Sequence, residues 1–397
     1  MGLLAEAPST RERATQQVTL QTSLARSPGR EGLHRGGRGG LRRALEFLER
    51  NPEVPQLFPV LRGLSSFYTY RGEFEKAAEI GREVLRLAER HGDRGILVDG
   101  HFVLGSSMAF LDDLHGGLEH LDKALACSEV EQAGFRRFRL GNNPRVAGLT
   151  TSAFVLWMLG FPDRTLERAD AAVALALELE HPFTIGFALF HTGFLHLWRR
   201  EPVLVRERAR RVLEVGEDHE FPIWTAVGTG LAGAAKAATG DHDEGLEQIR
   251  AGMRLYQGLT TPPVFWSLLL YVESGACVSA GRTAEGLALI EEASRIEGRG
   301  AGVTLVPEFL MHKGDLLSAG AEVERAGAEA LYQQAFEVAR NVDARAWQLR
   351  AATRLCRAAR EHGDPEGGDH LLRSVYEGFT EGFGIPELVE ARELLES

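Results

Sequence analysis

Histidines, cysteines and clustered carboxylates are the side chains here that could do chemistry, and their spacing decides whether they do. His115 and His120 lie close to Glu119, with Asp112 and Asp113 just before them. His191 and His196 stand five apart, which turns them to different faces of a helix, whereas helical metal ligands are best placed four apart. These histidines therefore read as packing or surface residues. Cys127, Cys277 and Cys356 form no CxxC pair, so neither a disulfide framework nor a zinc ribbon is expected. Each sits in an apolar stripe, where a thiol behaves as a small hydrophobe. The carboxylates of Glu291-Glu292 and of 241–244 fall beside turns or on polar faces. The chain has no GxxxxGKS/T phosphate loop, no GxSxG elbow and no HExxH pair. Glycines 36, 37, 39 and 40 follow no strand and make no dinucleotide fingerprint. The residues point to a protein that is not an enzyme and uses no metal and no cofactor.

The elements that hold these residues recur. The chain of 397 residues is rich in apolar positions at helical spacing, as in Ala77, Ile80, Val84, Leu85 and Ala88. Short turns interrupt it near positions 72, 112, 160, 200, 240, 281, 323 and 363. The steps are 40, 48, 40, 40, 41, 42 and 40 residues, the mark of a solenoid of helix pairs. Gly at most of these turns suits the left-handed cap that ends a helix. Pro55, Pro144, Pro182, Pro222, Pro262, Pro263 and Pro307 stand where first helices should begin, since proline loses no hydrogen bond there. Gly105, Ala153, Gly193 and Gly233 precede the turns by seven residues, and Ala77, Gly117 and Ala172 follow them; small residues at such points let two helices cross closely. The pattern resembles the tetratricopeptide repeat, widened from its usual ~34 residues.

The expected fold is all-α, a tetratricopeptide-like right-handed superhelix of about eight helix pairs over 41–397, ending in a capping helix near 386–395. Residues 1–24 read as an N-terminal region with a helix at 10–24. Residues 25–40 carry six Gly and four Arg and read as a flexible linker, because each interior Gly costs a helix ~1 kcal/mol.

Forty-five basic against 56 acidic residues give a net charge of −11, which argues against nucleic acid as a partner. The longest uncharged stretches, such as 181–198, contain Gly, His and Pro. They fall short of the ~20 apolar residues of a membrane span, so no membrane partner is expected. No signal peptide is visible, and a cytoplasmic protein is expected.

In a tetratricopeptide array the first helix of each pair lines the concave side. Counting six and ten residues back from the turns selects Phe102, Phe154, Phe190, Phe194 and Tyr271, and Trp157 belongs to the same face. An aromatic strip there suits a protein partner or a small ligand; the competing reading is packing between repeats.

Several short motifs carry a more specific likeness. Leu156-Trp157-Met158-Leu159-Gly160-Phe161-Pro162-Asp163, Glu180-His181-Pro182-Phe183, Leu195-His196-Leu197-Trp198-Arg199-Arg200-Glu201, Phe379-Thr380-Glu381-Gly382-Phe383 and Ile385-Pro386-Glu387-Leu388 occur in order. They resemble the C-terminal tetratricopeptide module of bacterial adenylate/guanylate cyclase–STAND ATPase signalling proteins, which is similar to the repeat domain of the maltose-regulon activator. The resemblance implies a helical sensor arm that receives a ligand or partner and acts on an ATPase or cyclase domain, here one encoded separately. A second implication is a truncated or split remnant of such a regulator with no activity of its own.

Overall fold

The structure, a computed structural model, describes residues 61, 65, 68–69, 72–91, 94–129, 143–259, 265–297, 305–318 and 322–397. The expected N-terminal helix and Gly/Arg-rich linker lie outside these residues. Among the described residues there are sixteen α-helices and no strand. The first helices of seven pairs are α2 (Arg94–Phe110), α4 (Pro144–Met158), α6 (Pro182–Trp198), α8 (Pro222–Ala238), α10 (Trp266–Ser279), α12 (Val306–Ser318) and α14 (Arg345–Glu361). Their second helices are α3 (Leu114–Glu129), α5 (Pro162–Glu178), α7 (Pro202–Asp218), α9 (His242–Gln257), α11 (Thr283–Glu297), α13 (Glu322–Asn341) and α15 (Pro365–Tyr376). A further second helix, α1 (Phe74–His91), precedes them, and α16 (Pro386–Glu396) ends the chain.

The two helix types differ because they face different surroundings. First helices contact their own second helices and the first helices on either side, so α6 is apolar nearly throughout and buries most of its length. Second helices are covered on one side only. In α7 just Val205, Ala209, Val212 and Gly216 are buried, a stripe at helical spacing with charged residues on the other face. Where paired helices cross, there is no room for a side chain. A Cβ on Gly105 would lie 2.7 Å from the Gly117 carbonyl oxygen, and one on Gly233 would lie 2.7 Å from that of Gly245.

The turns share one hydrogen bond. The N–H of Phe161 donates to the Leu156 carbonyl at 2.9 Å, Glu201 to His196 at 3.0 Å, and Arg282 to Cys277 at 2.9 Å. Each spans a residue in the left-handed region, the geometry of a Schellman cap. Gly72, Gly160, Gly240, Gly281 and Gly363 fill that position as expected, and Asp112 (φ 70°) and Arg200 (φ 56°) fill it without being glycine. Two details differ from the sequence reading. Residues 322–325 are the start of α13 and not a turn. Proline also opens second helices, at Pro162, Pro202 and Pro365, because each tight turn delivers the chain straight into a new helix.

The array closes on itself. α14 packs against α4, and the segment between α15 and α16 lies over the start of α5. That start has no side-chain cap of its own. The Glu381 carboxylate supplies one, accepting from the N–H groups of Asp163 (2.9 Å) and Arg164 (3.0 Å), where a helix leaves its first donors unpaired and favours negative charge. Asp163 returns the contact by accepting from the Gly382 N–H at 3.0 Å. A Cβ on Gly160 would stand 3.0 Å from the Phe379 ring and 3.1 Å from Arg345.

This contrast sets a test. Gly240→Ala meets no neighbour within 4 Å at φ +100°, so it pays only the backbone cost of ~1–2 kcal/mol. Gly160→Ala pays that and a collision at the closure, and its urea midpoint should fall further. Equal losses would mean that the closure adds nothing to stability.

Candidate functional site

α14 carries an arginine in the middle of an apolar run, Ala346-Trp347-Gln348-Leu349-Arg350-Ala351-Ala352. It is 7% exposed. A buried charge needs partners, and Arg350 takes them from three other helices. Its Nη1 donates to Glu308 of α12 at 2.7 Å. Its Nη2 donates to Glu387 of α16 at 2.7 Å and to the carbonyl oxygen of Trp198 at the end of α6. The guanidinium lies 5.0 Å from the Trp347 ring centroid and 5.8 Å from that of Trp157, in reach of cation–π attraction. Burial pulls the Arg350 pKa down, but Glu308 and Glu387 push it up further, so the net shift is upward and the group stays charged.

Beside this hub is a recess of about 360 Å³. Arg350, Thr353 and Glu387 are its buried floor. One wall is a fork: Arg354 donates through Nε and Nη2 to the two Asp315 oxygens at 2.8 and 2.7 Å, and the Tyr332 hydroxyl adds a bond to Asp315 at 2.9 Å. Burial pushes the Asp315 carboxyl up, but Arg354 outweighs it and holds the carboxyl below its usual range. At the other side Arg200 and Arg357 both reach Glu390, Arg200 at 2.7 Å. Ser318, Arg357 and Glu361 are exposed at the rim. Arg350 Nε and Glu387 Oε2 have no hydrogen-bond partner and lie buried beneath the recess without opening onto it.

Five of the six expected aromatic residues are gathered beside this hub. Trp157, Phe190, Phe194 and Tyr271 are buried, and Phe102 and Phe154 are half-buried. The four buried rings face the interior. Phe154 meets Trp198 at 4.9 Å, Phe194 meets Trp198 at 5.2 Å and Tyr271 at 5.7 Å, and Trp198 meets Trp347 at 5.0 Å. Phe190 joins through Phe194, Trp157 through Arg350. Phe102 stands apart, packed near Gly148. Tyr271 has its hydroxyl pKa raised by burial and by Glu308. The charged hub escaped the sequence reading because it kept only aromatics. The same count from Gly363 lands on Arg357 and Thr353, both of which line the recess.

Among the described residues no group of three or more His, Cys, Asp or Glu side chains could hold a metal ion. His191 is caged by Phe187 at 4.0 Å, Phe190 at 5.3 Å and Phe265 at 5.6 Å. Burial pushes it down to about 4, against a hydrogen bond to the Phe187 carbonyl. His196 instead pairs with Glu201 at 2.7 Å. His101 meets His120 at 2.9 Å; burial, then His120 and Lys123, push His101 down to about 4. Cys277 is buried and its thiol is pushed up to about 11 by burial, which makes it inert.

No family model matches the chain, and no curated protein matches it. Among solved structures, a Rap protein complexed with competence and sporulation factor superimposes with a TM-score of 0.56 at 10% identity, covering 96% of this chain and 99% of its own. Aspartyl phosphate phosphatase F from Bacillus subtilis gives 0.47 at 10% identity, over 95% of this chain and 98% of that one. A tetratricopeptide repeat protein from Parabacteroides merdae gives 0.42 at 15%, over 72% and 96%. The chain has the tetratricopeptide-like superhelical fold. No helix among the described residues is long and apolar enough to cross a membrane.

Arg350→Met should cost ~3–5 kcal/mol, because it strands two buried carboxylates. Adding Glu308→Gln and Glu387→Gln should restore much of that loss in thermal melts; no recovery would mean that Arg350 matters for its packing alone. The pH dependence follows from the caged histidines. His101 and His191 titrate near 4 when folded but near ~6.5 when unfolded, so the unfolded chain binds more protons between these values. Stability should be full above ~6.5 and fall as pH drops towards ~4. His191→Phe should flatten this slope in melts across that range, and an unchanged slope would clear His191 of a part in it.

Proposed function

We propose that this protein is a non-catalytic interaction or sensor module of a bacterial signalling system, and that the recess at the closure receives its ligand. The observation that carries this reading is the origin of the recess. Its lining comes from Arg200, Asp315, Arg350 and Glu387, which belong to the middle of the array, its later repeats and its last helix. A ligand in contact with all four bears directly on whether the superhelix stays closed. The fold accommodates such a role, since the Rap protein it resembles was captured with competence and sporulation factor. Phe154, Trp157, Phe190, Phe194 and Tyr271 serve as the rigid backing of the charged floor, and Phe102, packed near Gly148, belongs to the concave side further along the array. The motifs at 156–163, 195–201 and 379–388 support an output through a separately encoded STAND ATPase or cyclase domain, because in the likeness they carry such modules follow those domains.

The test is a thermal-shift screen of the full chain against polar small molecules, followed by hydrogen exchange. A ligand of the recess should raise the melting temperature saturably and slow exchange in both α14 and α16. A complete screen without such a compound, or hits that protect only the outer second helices, would refute the reading.

A further inference from the structure

Residues 377–397, the segment after α15 together with α16, form an acidic arm with six glutamates and one arginine. The surface beneath it has the opposite charge. α14 carries five arginines against one glutamate, although the chain as a whole has a net charge of −11. Arg345 donates to the Gly378 carbonyl at 2.7 Å, Arg350 to Glu387 at 2.7 Å and Arg357 to Glu390. Arg360 donates to the Leu394 carbonyl and, at 2.6 Å, to the Ser397 hydroxyl. Arg200, at the turn between α6 and α7, reaches Glu390 at 2.7 Å.

Charge holds this arm more than apolar burial does. Its buried apolar side chains are Phe379, Ile385, Leu388 and Ala391, and Phe383 is left 44% exposed. Arg200 and Arg357 are 46% and 52% exposed, so their pairs with Glu390 are open to screening by salt. If the arm leaves, Arg350 keeps Glu308 but loses Glu387, and Arg200 and Arg357 lose Glu390. The bared seat is then a row of arginines beside an apolar socket, and it favours whatever returns carboxylates to it.

We propose that the arm is a built-in occupant of an interaction surface, and that an acidic peptide segment of a protein partner takes its place on α14 and the α6–α7 turn. The partner segment has the arm's own chemistry. It carries two carboxylates three residues apart, as Glu387 and Glu390 are, one for Arg350 and one for Arg200 with Arg357. An apolar side chain next to the first carboxylate fills the seat of Leu388. Exchange also removes Glu381 from the start of α5, so binding the partner unlocks the closure. A small molecule in the recess is not needed for this exchange.

The experiment uses the full chain and, as probe, a fluorescein-labelled synthetic peptide with the sequence of residues 377–397, followed by fluorescence anisotropy. A tethered arm competes at an effective concentration of about millimolar, so the wild-type protein should bind the probe weakly. In the double variant Glu381→Gln/Glu390→Gln the chain's own arm loses two anchors, and affinity for the probe should rise at least about tenfold. A peptide of the same composition in scrambled order should bind at least about tenfold more weakly than the probe, and added salt should weaken the probe's binding. In the complex, α16 of the chain should exchange its amide hydrogens faster while α14 stays protected. A double variant that binds the probe no better than wild type overturns the proposal, as does equal binding of the scrambled peptide. Bound probe without faster exchange in α16 places the peptide elsewhere and overturns it too, and so does an absence of binding by either protein. Should the double variant fail to fold, Glu390→Gln alone, which removes only pairs with exposed arginines, carries the same comparison. None of these failures touches the recess reading, which the thermal-shift screen decides separately.

Discussion

A buried guanidinium sets the terms for the rest of this structure. Arg350 is almost wholly buried, and the convergence of α6, α12 and α16 on it supplies the acceptors its charge demands. Replacing such a group by hydrocarbon is often harmless or stabilising when its partners go with it, so the network is not there for stability alone. What it provides is position. A Glu–Arg–Glu arrangement with a backbone carbonyl accepts only one register of the last helix against the middle of the array, which an apolar seam would leave free to slide.

Closure changes what kind of object a helical array is. In an open solenoid each repeat meets only its neighbours, and stability is a sum of local terms. Here Arg200 pairs with Glu390, Glu381 caps the start of α5, and α4 touches α14. The aromatic interior follows from this: Trp198 meets Trp347 edge to face because first helices from distant pairs meet across the axis.

Much of the architecture was legible because it rests on local rules. A left-handed cap needs Gly or tolerates a few others, so Gly72, Gly160, Gly240, Gly281 and Gly363 marked their turns in advance. Close crossings need a missing side chain, and Gly105 and Gly233 declared them. The turn expected at 322–325 failed because charged residues near a repeat boundary look alike in a cap and in a first helical turn. The depth of the aromatics was not legible for a different reason. Periodicity reports which face of a helix is apolar, and it is silent on how tightly the superhelix winds. Winding decides whether Phe194 and Tyr271 face a channel or each other. The charged recess was hidden for the same reason, since nothing local to Arg350, Asp315 or Glu387 announces that they meet. Yet the short motifs at 156–163, 195–201 and 379–388 turn out to touch one another through Gly160 and Phe379, Arg199 and Pro162, and Arg200 and Glu387.

The carboxylate that covers the start of α5 has a consequence for how the protein is made. Glu381 lies 218 residues beyond Asp163. A ribosome adding ~5–20 residues per second leaves roughly ten to forty seconds between the emergence of that helix and the arrival of its cap. For that interval the middle of the nascent chain has helices but no lid, with Phe379 and Leu388 still unmade and their seats open to water. The fold is therefore completed only when the tail arrives, and the length of that open period is set by translation speed.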